Sequence, residues 1–574
     1  MRVNLYNQAV KLKFIFVSGG VISGLGKGVV SASIASLLQW AGYKVTSVKC
    51  ENYLNIDAGT INPIEHGDPF LCEDGTEADM DIGTYEKFLD KNLGRANFIT
   101  MGQVYKRVID RERRFEYKGE DVEAIPYITD ELQNRWIKVG TEENAEIVVV
   151  ELGGTAGEYQ NVFYYEASRI LALKYPGNVV HVHVGYMPTP PHLGEPKTKP
   201  IQLSVRTLNS MGIQPNFIIA RSDKVLDVRR KERFALFCNV SSEDIISEPD
   251  VENIYEIPLI LKKQELDLRI LEKFNLSKRG DESAKWSDFV HKVKRIENAQ
   301  KEVTIGIVGK YFATGEYRLK DSYAALFDAL QHAAWFHSFN LKTVWIDAEK
   351  VEKNGIGKYS RNLDGIVVPI GWGPRGAEGM IEAASYARRK KIPYLGLCYG
   401  MQLAVVAFAR DLLGLKDANT TENNPGAKNP VVHLISAQKE IIQRRAYGGT
   451  MRLGAWEALV VKGTIAWEAY EKHNGFISKK HGLTSERHRH RYEFNSKYTS
   501  LFEKKGLIIS AKSKVENLVE IIEVSRKDHP FYLGTQGHPE YKSRPLLPHP
   551  IFIEFIKACL DCQKLGKPAS KIRS

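Results

Sequence analysis

The chain has 574 residues, 43% of them hydrophobic, which is long enough for more than one globular domain. Its formal net charge of +11 makes nucleic acid a candidate partner, but the 80 Lys and Arg are interspersed with 69 acidic residues and no basic nucleic-acid-binding motif occurs, so we expect no such partner. A signal-like leader, a run of the roughly 18 apolar residues that span a membrane and a cysteine pattern typical of disulfide frameworks are also missing, which predicts a soluble cytoplasmic protein.

A glycine-rich loop lies between a short apolar strand, Phe14–Val17, and a helix-like segment, Val29–Leu38. This order is typical of a P-loop, in which backbone N–H groups and a lysine, here Lys27, hold phosphates. The match is imperfect, since Val21 stands where the first Gly is expected and Gly28 replaces the Ser or Thr that normally ligates Mg²⁺. We therefore expect carboxylates elsewhere to hold any metal. The alternative is a tight strand-to-helix connection that binds nothing.

Two further segments are candidate sources of those carboxylates. After a second predicted strand, Lys44–Lys49, residues 51–81 are rich in acidic side chains and have little apolar periodicity. A later apolar strand ends in Glu151 before Gly153 and Gly154, which places its carboxylate at the edge where open α/β sheets bind ligands. A solvated acidic loop is the alternative interpretation of residues 51–81.

The first half of the chain contains five motifs in a fixed order. They are Gly19-Gly20-x-x-Ser23-Gly24-Leu25-Gly26-Lys27-Gly28, Glu73-Asp74-Gly75, Asp79-x-Asp81-x-Gly83-x-Tyr85-Glu86, Gly153-Gly154-Thr155 and Gly194-Glu195-Pro196-Lys197-Thr198-Lys199-Pro200. Together they resemble the amidoligase domain of the CTP synthase family. The resemblance implies an α/β fold with a P-loop, dethiobiotin-synthetase-like parallel sheet domain.

The resemblance also implies three sets of contacts. The contacts for ATP are Gly24, Leu25, Gly26, Lys27, Gly28, Val29, Asp81, Asp250 and Val251. The ligands for Mg²⁺ are Asp81 and Glu151. The contacts for UTP or CTP are Ser23, Glu158, Tyr159, Gln160, Lys197, Thr198, Lys199, Pro200, Ile201, Gln202 and Arg233.

Three of the pyrimidine-nucleotide positions depart from the family pattern. The family usually has Asp and Glu where this chain has Glu158 and Gln160, and Lys where it has Arg233. The first acid is therefore lengthened and the second is neutralised. Arg233 keeps its charge, although a planar guanidinium is not equivalent to a compact ammonium.

The chain changes character near residue 277. A polar stretch and a short amphipathic piece around Trp286 to Ile296 predict a linker, after which Val303–Tyr311 begins a second α/β pattern. We predict an amidoligase domain at 1–276, a linker at 277–300 and a second domain at 301–574. Lys310 follows Gly309 but no glycine-rich run, so we do not expect a second P-loop.

The second domain is centred on Cys398, which lies between a predicted strand and a helix in the sequence Gly396-Leu397-Cys398-Tyr399-Gly400. Flanking glycines permit the sharp turn of a nucleophile elbow, and the helix N-terminus favours a thiolate. An inert core cysteine is the alternative. His538 and Glu540 follow another apolar segment and are candidates for the base and its orienting carboxylate. The arrangement resembles a class I glutamine amidotransferase domain.

This second resemblance implies glutamine contacts at Gly371, Tyr399, Gly400, Met401, Gln402, Glu422 and Arg491. One departure is Ile370, which replaces the usual Gly of the oxyanion turn. Because a β-branched residue resists positive φ, either the loop adopts a conformation that Ile permits or the oxyanion hole is impaired. Alternating Arg and His at 487–491 look like a nucleic-acid patch, but the run is short and we expect pairing with Glu486 and Glu493.

Both resemblances together imply an ATP-dependent carbon–nitrogen ligase that aminates UTP to CTP with ammonia from glutamine. They further imply Mg²⁺, activation by GTP, inhibition by CTP and a homotetramer. Two alternatives remain open from the sequence. One is another P-loop amidoligase with a triad glutaminase, such as a cobyrinate-type amidase acting on a carboxylate. The other is a non-catalytic assembly subunit, suggested by Ile370, Glu158 and Gln160.

Overall fold

The computed structural model describes residues 10–63, 67–314, 317–318 and 320–565. The chain divides into two compact units: unit 1 comprises Met1–Ala58 and Asp81–Val290, and unit 2 comprises Gly59–Met80 and His291–Ser574. A segment from the first half of the sequence, Gly59–Met80, is therefore part of unit 2. The division at 276 and 301 stays a prediction.

Unit 1 is built on a seven-stranded sheet in which every pair of neighbours is parallel. Its strands are β1 (Lys13–Gly20), β2 (Val45–Glu51), β3 (Phe98–Thr100), β4 (Ile147–Leu152), β5 (Val179–Tyr186), β6 (Phe217–Ser222) and β7 (Ile245–Pro249). The spatial order is β3-β2-β4-β1-β5-β6-β7. The central strands are buried along almost their whole length, as expected for a parallel sheet covered on both faces by helices.

The helices of the first half connect these strands or follow the last of them. They span Lys27–Trp40, Met80–Leu89, Met101–Arg113, Ala124–Glu142, Val162–Lys174, Lys199–Ser210, Val228–Cys238, Ile257–Lys263, Leu266–Lys273 and Ala284–Asn298. The predicted strand Phe14–Val17 and helix Val29–Leu38 fall inside β1 and Lys27–Trp40. The predicted linker 277–300 contains the helix Ala284–Asn298, which includes the amphipathic piece.

Unit 2 is built on a nine-stranded mixed sheet. Its strands are β8 (Glu302–Gly309), β9 (Asn340–Asp347), β10 (Gly365–Val368), β11 (Tyr394–Leu397), β12 (Arg452–Val460), β13 (Leu483–His490), β14 (Leu507–Ser513), β15 (Val519–Val524) and β16 (Tyr532–Thr535). The order is β9-β8-β10-β11-β16-β15-β14-β12-β13, and pairing is parallel as far as β16 and antiparallel beyond it.

The helices of unit 2 lie between and after these strands in the chain. They span Ala324–Phe336, Ala348–Asn354, Ala377–Lys390, Tyr399–Leu412, Gln438–Gln443, Ile465–Lys472, Thr499–Lys504 and Pro550–Lys564. A small sheet contains Ala418–Thr420, Asn429–Leu434 and Tyr492–Phe494, and a two-stranded hairpin in Gly59–Met80 pairs Phe70–Leu71 with Glu77–Ala78. The structure thus confirms the predicted α/β class with two lobes.

Among the residues that the structure describes, no helix combines the length and the apolar character needed to cross a membrane.

Candidate functional site

The glycine-rich loop of unit 1 has the geometry of a phosphate cradle. It follows β1 and leads into the helix that begins at Lys27, and Gly24 and Gly26 have φ of 69° and 78°, which glycine adopts without strain. The Lys27 ammonium donates a hydrogen bond to the Gly154 carbonyl, with 2.8 Å between Nζ and O. Burial lowers the pKa of Lys27, while the Glu151 carboxylate opposes that effect. The loop therefore presents backbone N–H groups and one cation at the carboxyl end of the central strand.

Two carboxylates lie beside this loop, joined through Lys49. Its ammonium bridges Asp81 and Glu151, with 2.8 Å between Nζ and Oε1 of Glu151, and the Tyr85 hydroxyl also donates to Glu151. Burial raises the pKa of Glu151, Asp81 raises it further, and Lys49 counteracts both. A Cβ at Gly28 would lie 1.9 Å from Asp81 Oδ1, so Asp81 approaches the helix where a P-loop hydroxyl normally stands.

The predicted Mg²⁺ ligands are thus brought together by the fold. Carboxylate oxygens are the ligands that Mg²⁺ prefers, and the ion usually takes one or two of them together with substrate phosphates. Within the described part of the chain, no three or more His, Cys, Asp or Glu side chains group around a common metal position. Asp81 and Glu151 next to a phosphate loop therefore fit a magnesium ion carried with a nucleotide.

Arg221 joins three of the predicted ATP contacts and was missed by sequence reasoning. Its guanidinium donates to the Leu25 carbonyl at 2.6 Å and to Asp250 Oδ1 at 3.0 Å. A Cβ at Gly26 would lie 2.5 Å from Arg221 Nη1. The feature of the sequence that could have identified Arg221 is a positively charged side chain near the carboxyl end of β6, the edge where open α/β sheets bind ligands. Val29 and Val251, the remaining predicted contacts here, are both half-buried.

Glu158 does not reach outward as a ligand contact in this structure. Its Oε1 accepts from the Thr155 backbone N–H at 2.7 Å, and its Oε2 accepts from Asn52 Nδ2 at 3.0 Å. These bonds stabilise the turn after Gly153 and Gly154. Its predicted neighbours Tyr159 and Gln160 are exposed, as is Ser23 in the glycine-rich loop.

The basic segment is brought together at the beginning of the helix Lys199–Ser210, with Pro200 in its first turn. Lys197 pairs with Glu195, and Gln202 Nε2 donates to Thr198 Oγ1 at 3.1 Å. Ile201 is fully buried in the core. Lys199 is exposed, and Arg233 is exposed on a different helix, Val228–Cys238.

A buried histidine links this helix to β1. His183 lies between Ser18 and Ser204, with 2.9 Å from Nδ1 to Ser18 Oγ and 2.7 Å from Nε2 to Ser204 Oγ. Burial lowers the pKa of His183 to about 3, so the imidazole is neutral at physiological pH. One nitrogen then donates and the other accepts, which both hydroxyl groups can satisfy.

In unit 2, Cys398 occupies a sharp turn between β11 and the helix Tyr399–Leu412. Its φ of 50° and ψ of −100° are unusual for a residue with a side chain, and it is 2% exposed. Its backbone N–H donates to the Thr535 carbonyl at 2.7 Å. A Cβ at Gly400 would lie 1.9 Å from the Val368 carbonyl oxygen, so this flanking glycine is required. The turn has the properties of the predicted nucleophile elbow.

His538 and Glu540 form a buried pair, with 2.7 Å between Nδ1 and Oε1. Nε2 of His538 is buried and has no hydrogen-bond partner among the described residues. Burial by itself lowers the pKa of His538, but Glu540 first and Cys398 second outweigh it and raise that pKa to about 10. The structure thus brings the three predicted catalytic side chains together.

The turn after β10 is fixed by Lys310, a second residue that sequence reasoning missed. Its ammonium donates to the carbonyls of Trp372, Gly373 and Arg375 at 2.6, 2.7 and 2.9 Å. A Cβ at Gly371 would lie 2.6 Å from Lys310 Cε. Ile370 is buried and has no positive φ, so the turn adopts a conformation that Ile tolerates.

Two predicted glutamine contacts face this turn. Glu422 Oε1 accepts from the Gly373 N–H at 2.7 Å, and burial raises the pKa of Glu422 to about 7 despite the Lys310 charge. The Tyr399 hydroxyl lies 2.8 Å from both the Gly373 carbonyl and Asn423 Oδ1. Gly371, Tyr399 and Glu422 therefore converge on one turn.

The other predicted glutamine contacts have varied surroundings. Met401 is fully buried beneath Gly534. Gln402 Nε2 donates to the Tyr492 carbonyl at 3.0 Å and to Gln536 Oε1 at 3.1 Å. Arg491 donates to Gln438, to the Tyr447 carbonyl at 2.8 Å and to Thr450 Oγ1 at 2.9 Å.

The Arg–His alternation on β13 is buried, and its partners differ from the expected Glu486 and Glu493. Arg487 lies 3.3 Å from Glu73 Oε1 and Arg489 donates to Glu77 Oε1 at 2.6 Å, both in Gly59–Met80. Glu486 Oε1 instead accepts from His549 Nε2 at 2.9 Å. The expectation was wrong because Glu486 is adjacent to Arg487 in β13 and therefore points to the opposite face, while Glu493 lies in the strand Tyr492–Phe494 of the small sheet.

Comparisons with known proteins cover both halves of the chain. Residues 13–276 match the family model described as CTP synthase N-terminus, and residues 318–558 match that of glutamine amidotransferase class-I. A solved structure, the Trypanosoma brucei CTPS glutaminase domain with bound acivicin, is 32% identical over 45% of this chain and 94% of its own, with a TM-score of 0.40.

Full-length relatives are more similar. The CTP synthase of Caldanaerobacter subterraneus is 45% identical over 96% of this chain and 98% of its own length. That of Carboxydothermus hydrogenoformans is 46% identical over 96% and 99%, and that of Sulfolobus acidocaldarius is 46% identical over 95% and 99%. With both family models matched and identity sustained over nearly the whole length, the chain belongs to the CTP synthase family.

Proposed function

We propose that Cys398, His538 and Glu540 hydrolyse glutamine in unit 2 and that the phosphate loop of unit 1 activates UTP for amination. The overall reaction is the ATP-dependent conversion of UTP to CTP with glutamine as the nitrogen donor, as family membership gives it. The observation that supports the residue assignment most directly is the strained turn that holds Cys398 next to the His538–Glu540 pair.

In unit 2, His538 takes the proton of the Cys398 thiol, and the sulfur attacks the side-chain amide carbon of glutamine and forms an S–C bond. The C–N bond then breaks, and His538 supplies the proton with which ammonia leaves. Water hydrolyses the resulting thioester and releases glutamate. Glu540 fixes the tautomer of His538 through Nδ1 and stabilises its charged form.

The turn held by Lys310 supplies the oxyanion site in this proposal. Backbone N–H groups at Ile370 and Gly371 are the donors, since an isoleucine retains its N–H and this turn imposes no positive φ on it. Tyr399, Gly400, Met401, Gln402, Glu422 and Arg491 position glutamine. Glu422 meets the amino group and Arg491 the α-carboxylate.

In unit 1, the γ-phosphoryl group of ATP is transferred to O4 of UTP, which turns a poor leaving group into phosphate. Ammonia adds at that carbon and displaces the phosphate to give CTP. Catalysis is mostly positioning and neutralisation of charge. Lys27 and the N–H groups of residues 24–29 bind the ATP phosphates, and Arg221 holds the loop through the Leu25 carbonyl and Asp250.

Asp81 and Glu151 would hold Mg²⁺. When bound, the ion neutralises charge on the phosphate oxygens. Lys49, which bridges the two carboxylates, keeps them adjacent in the buried site.

We also propose that Ser23, Glu158, Tyr159, Gln160, Lys197–Gln202 and Arg233 form the pyrimidine-nucleotide site, that GTP activates and CTP inhibits, and that the enzyme is a homotetramer. The family resemblance supports these points. The two alternatives, an amidoligase acting on a carboxylate and a non-catalytic subunit, receive no support from the comparisons.

A test compares CTP formation from UTP, ATP and Mg²⁺ with glutamine or with ammonium chloride. Cys398→Ala should abolish the glutamine-dependent reaction and leave the ammonia-dependent one nearly intact, because only the sulfur forms the thioester. Cys562→Ala, in the helix Pro550–Lys564, is the matched control and should retain both. Loss of both activities in Cys398→Ala would contradict separate sites.

A further inference from the structure

Gln536 is a buried residue that lies between Cys398, the proposed nucleophile, and Gln402, one of the proposed glutamine contacts. Its side chain is 1% exposed. Nε2 lies 3.4 Å from Cys398 Sγ, and Oε1 lies 3.1 Å from Gln402 Nε2. It follows β16 and precedes His538 by two residues, so the same segment delivers both groups to the sulfur.

The direction of these hydrogen bonds is fixed by a backbone carbonyl. The Tyr492 carbonyl only accepts, so the Gln402 group that faces it at 3.0 Å must be the NH₂. That same NH₂ group faces Gln536, so the Gln536 atom it meets must be the amide oxygen. The remaining end of the Gln536 amide, which faces the sulfur, is therefore its NH₂ donor.

The sulfur has two kinds of neighbour, and they favour opposite protonation states. The Arg489 carbonyl oxygen lies 3.7 Å from Sγ and accepts a hydrogen bond only from the thiol. The Gln536 NH₂ donates, and a donor binds the thiolate more strongly than the thiol because a charged acceptor strengthens the bond. The titratable groups that face Cys398 are His538, with Glu540 behind it, and Tyr541.

We propose that Gln536 is a catalytic residue of the glutaminase site, whose side-chain amide donates a hydrogen bond to Cys398 Sγ and stabilises the attacking thiolate. Gln402 orients that amide as well as contacting glutamine. The inference rests on the proposed role of Cys398 as nucleophile.

The test measures the thiolate directly. Alkylation of Cys398 by iodoacetamide is followed by mass spectrometry from pH 5 to pH 10 in the full-length enzyme, and the midpoint of the rate profile reports thiolate formation. Gln536→Leu removes the donor, and Gln536→Glu keeps the shape but places a carboxylate beside the sulfur. Gln563→Leu, an exposed glutamine in the helix Pro550–Lys564, is the control.

We expect both Gln536 variants to raise the midpoint, by about one pH unit for Leu, which is a tenfold change in the thiol–thiolate equilibrium. Gln536→Glu should raise it further. Glutamine-dependent CTP formation at neutral pH should fall about tenfold in parallel, while ammonia-dependent formation and the Gln563→Leu control stay unchanged.

An unchanged midpoint in Gln536→Glu overturns the proposal, whatever the activity. A raised midpoint with full glutamine-dependent activity also overturns it, because the contact would then not limit catalysis. If Gln536→Leu fails to fold, the alkylation midpoint of Gln536→Glu decides, since glutamate preserves the volume of the glutamine side chain. A separate result, glutamine-dependent activity that survives complete alkylation of Cys398, would refute the nucleophile assignment and not the contact.

Discussion

Asp81 Oδ1 lies 1.9 Å from the position that a Cβ atom would take at Gly28. In a standard P-loop the residue at this place carries a hydroxyl that ligates Mg²⁺. Here the side chain is absent and a carboxylate from a distant helix occupies the space. Gly28 therefore leaves free the space that the Asp81 carboxylate occupies.

Gly28→Ser should displace the Asp81 carboxylate, which is also held by Lys49 and cannot simply rotate away. We expect CTP formation to fall about 100-fold with either glutamine or ammonium, since a shift of about 1 Å near the reacting groups has effects of that size. Glutamine hydrolysis should persist. Gly280→Ala is the matched control, because no atom lies within 4 Å of a Cβ there. Full synthetic activity in Gly28→Ser would separate Asp81 from catalysis.

Lys27→Ala, Asp81→Asn and Glu151→Gln should each remove synthesis with either nitrogen source. Phosphate and metal binding precede amination, and loss of one charged group at such a site costs about 100-fold or more. The assay is CTP formation with ammonium chloride as a function of Mg²⁺ concentration. Glu282→Gln, an exposed acid, serves as the control. Rescue of any of the three variants by ammonium would show that its residue has been wrongly assigned.

Glu540→Gln should move the alkaline limb of glutamine hydrolysis to lower pH. The His538 imidazolium protonates the leaving ammonia, and Glu540 is the largest contribution that raises its pKa to about 10. In the unmodified enzyme the protonated form therefore persists to about that pH, and removal of the carboxylate lets it deprotonate earlier. The measurement is kcat/KM for glutamate release from pH 6 to pH 10. A limb at the same pH in both proteins would exclude this role for Glu540.

Acid should destabilise unit 1 through His183. Because burial lowers its pKa to about 3, below the 6.5 of an exposed histidine, the unfolded chain binds a proton that the folded chain does not between these values. Stability is therefore lost as pH falls through that range, by at most about 1.4 kcal/mol per pH unit. His183→Gln should reduce the difference in Tm between pH 7 and pH 5, whereas exposed His192→Gln should not. Equal Tm differences between pH 7 and pH 5 in His183→Gln and His192→Gln would argue against a role of His183 in acid destabilisation.

Gln160→Glu should strengthen inhibition by CTP. Gln160 is exposed, and a carboxylate there accepts hydrogen bonds from ligand hydroxyl or amino groups more strongly than an amide does. A gain of about 1 kcal/mol corresponds to an inhibition constant roughly fivefold lower. Both proteins are compared at matched UTP saturation. Equal or tighter inhibition of the unmodified enzyme would contradict the prediction.

The sequence predicted those site residues whose pattern is local. The strand, glycine-containing turn and helix around Lys27 and around Cys398 are consecutive in the chain, so their periodicity and their glycines identify them before the fold is known. The resemblance to the family added Asp81 and Glu151 to the predicted site residues. These predictions depend on spacing along the chain.

Four polar residues were missed because their contacts depend on spacing in the fold. Lys49 and Arg221 lie in the last few residues of a strand, and Lys310 directly follows one. Each of the three meets groups that come from other segments of the chain. Gln536 reaches Cys398 across 138 positions. In each case the sequence shows only a polar side chain near the end of a strand. Many residues that have no part in a functional site share this feature.

The chain path through Gly59–Met80 limits how this enzyme could be assembled from modules. Glu73 and Glu77 are encoded in the first half of the gene, whereas the buried guanidinium groups of Arg487 and Arg489 that they meet are encoded in the second. A glutaminase half transferred to a different synthetase by recombination would leave these two charges without their counter-ions, and an uncompensated buried charge is costly. Fusion of such halves is therefore productive only when the incoming synthetase brings its own acidic hairpin.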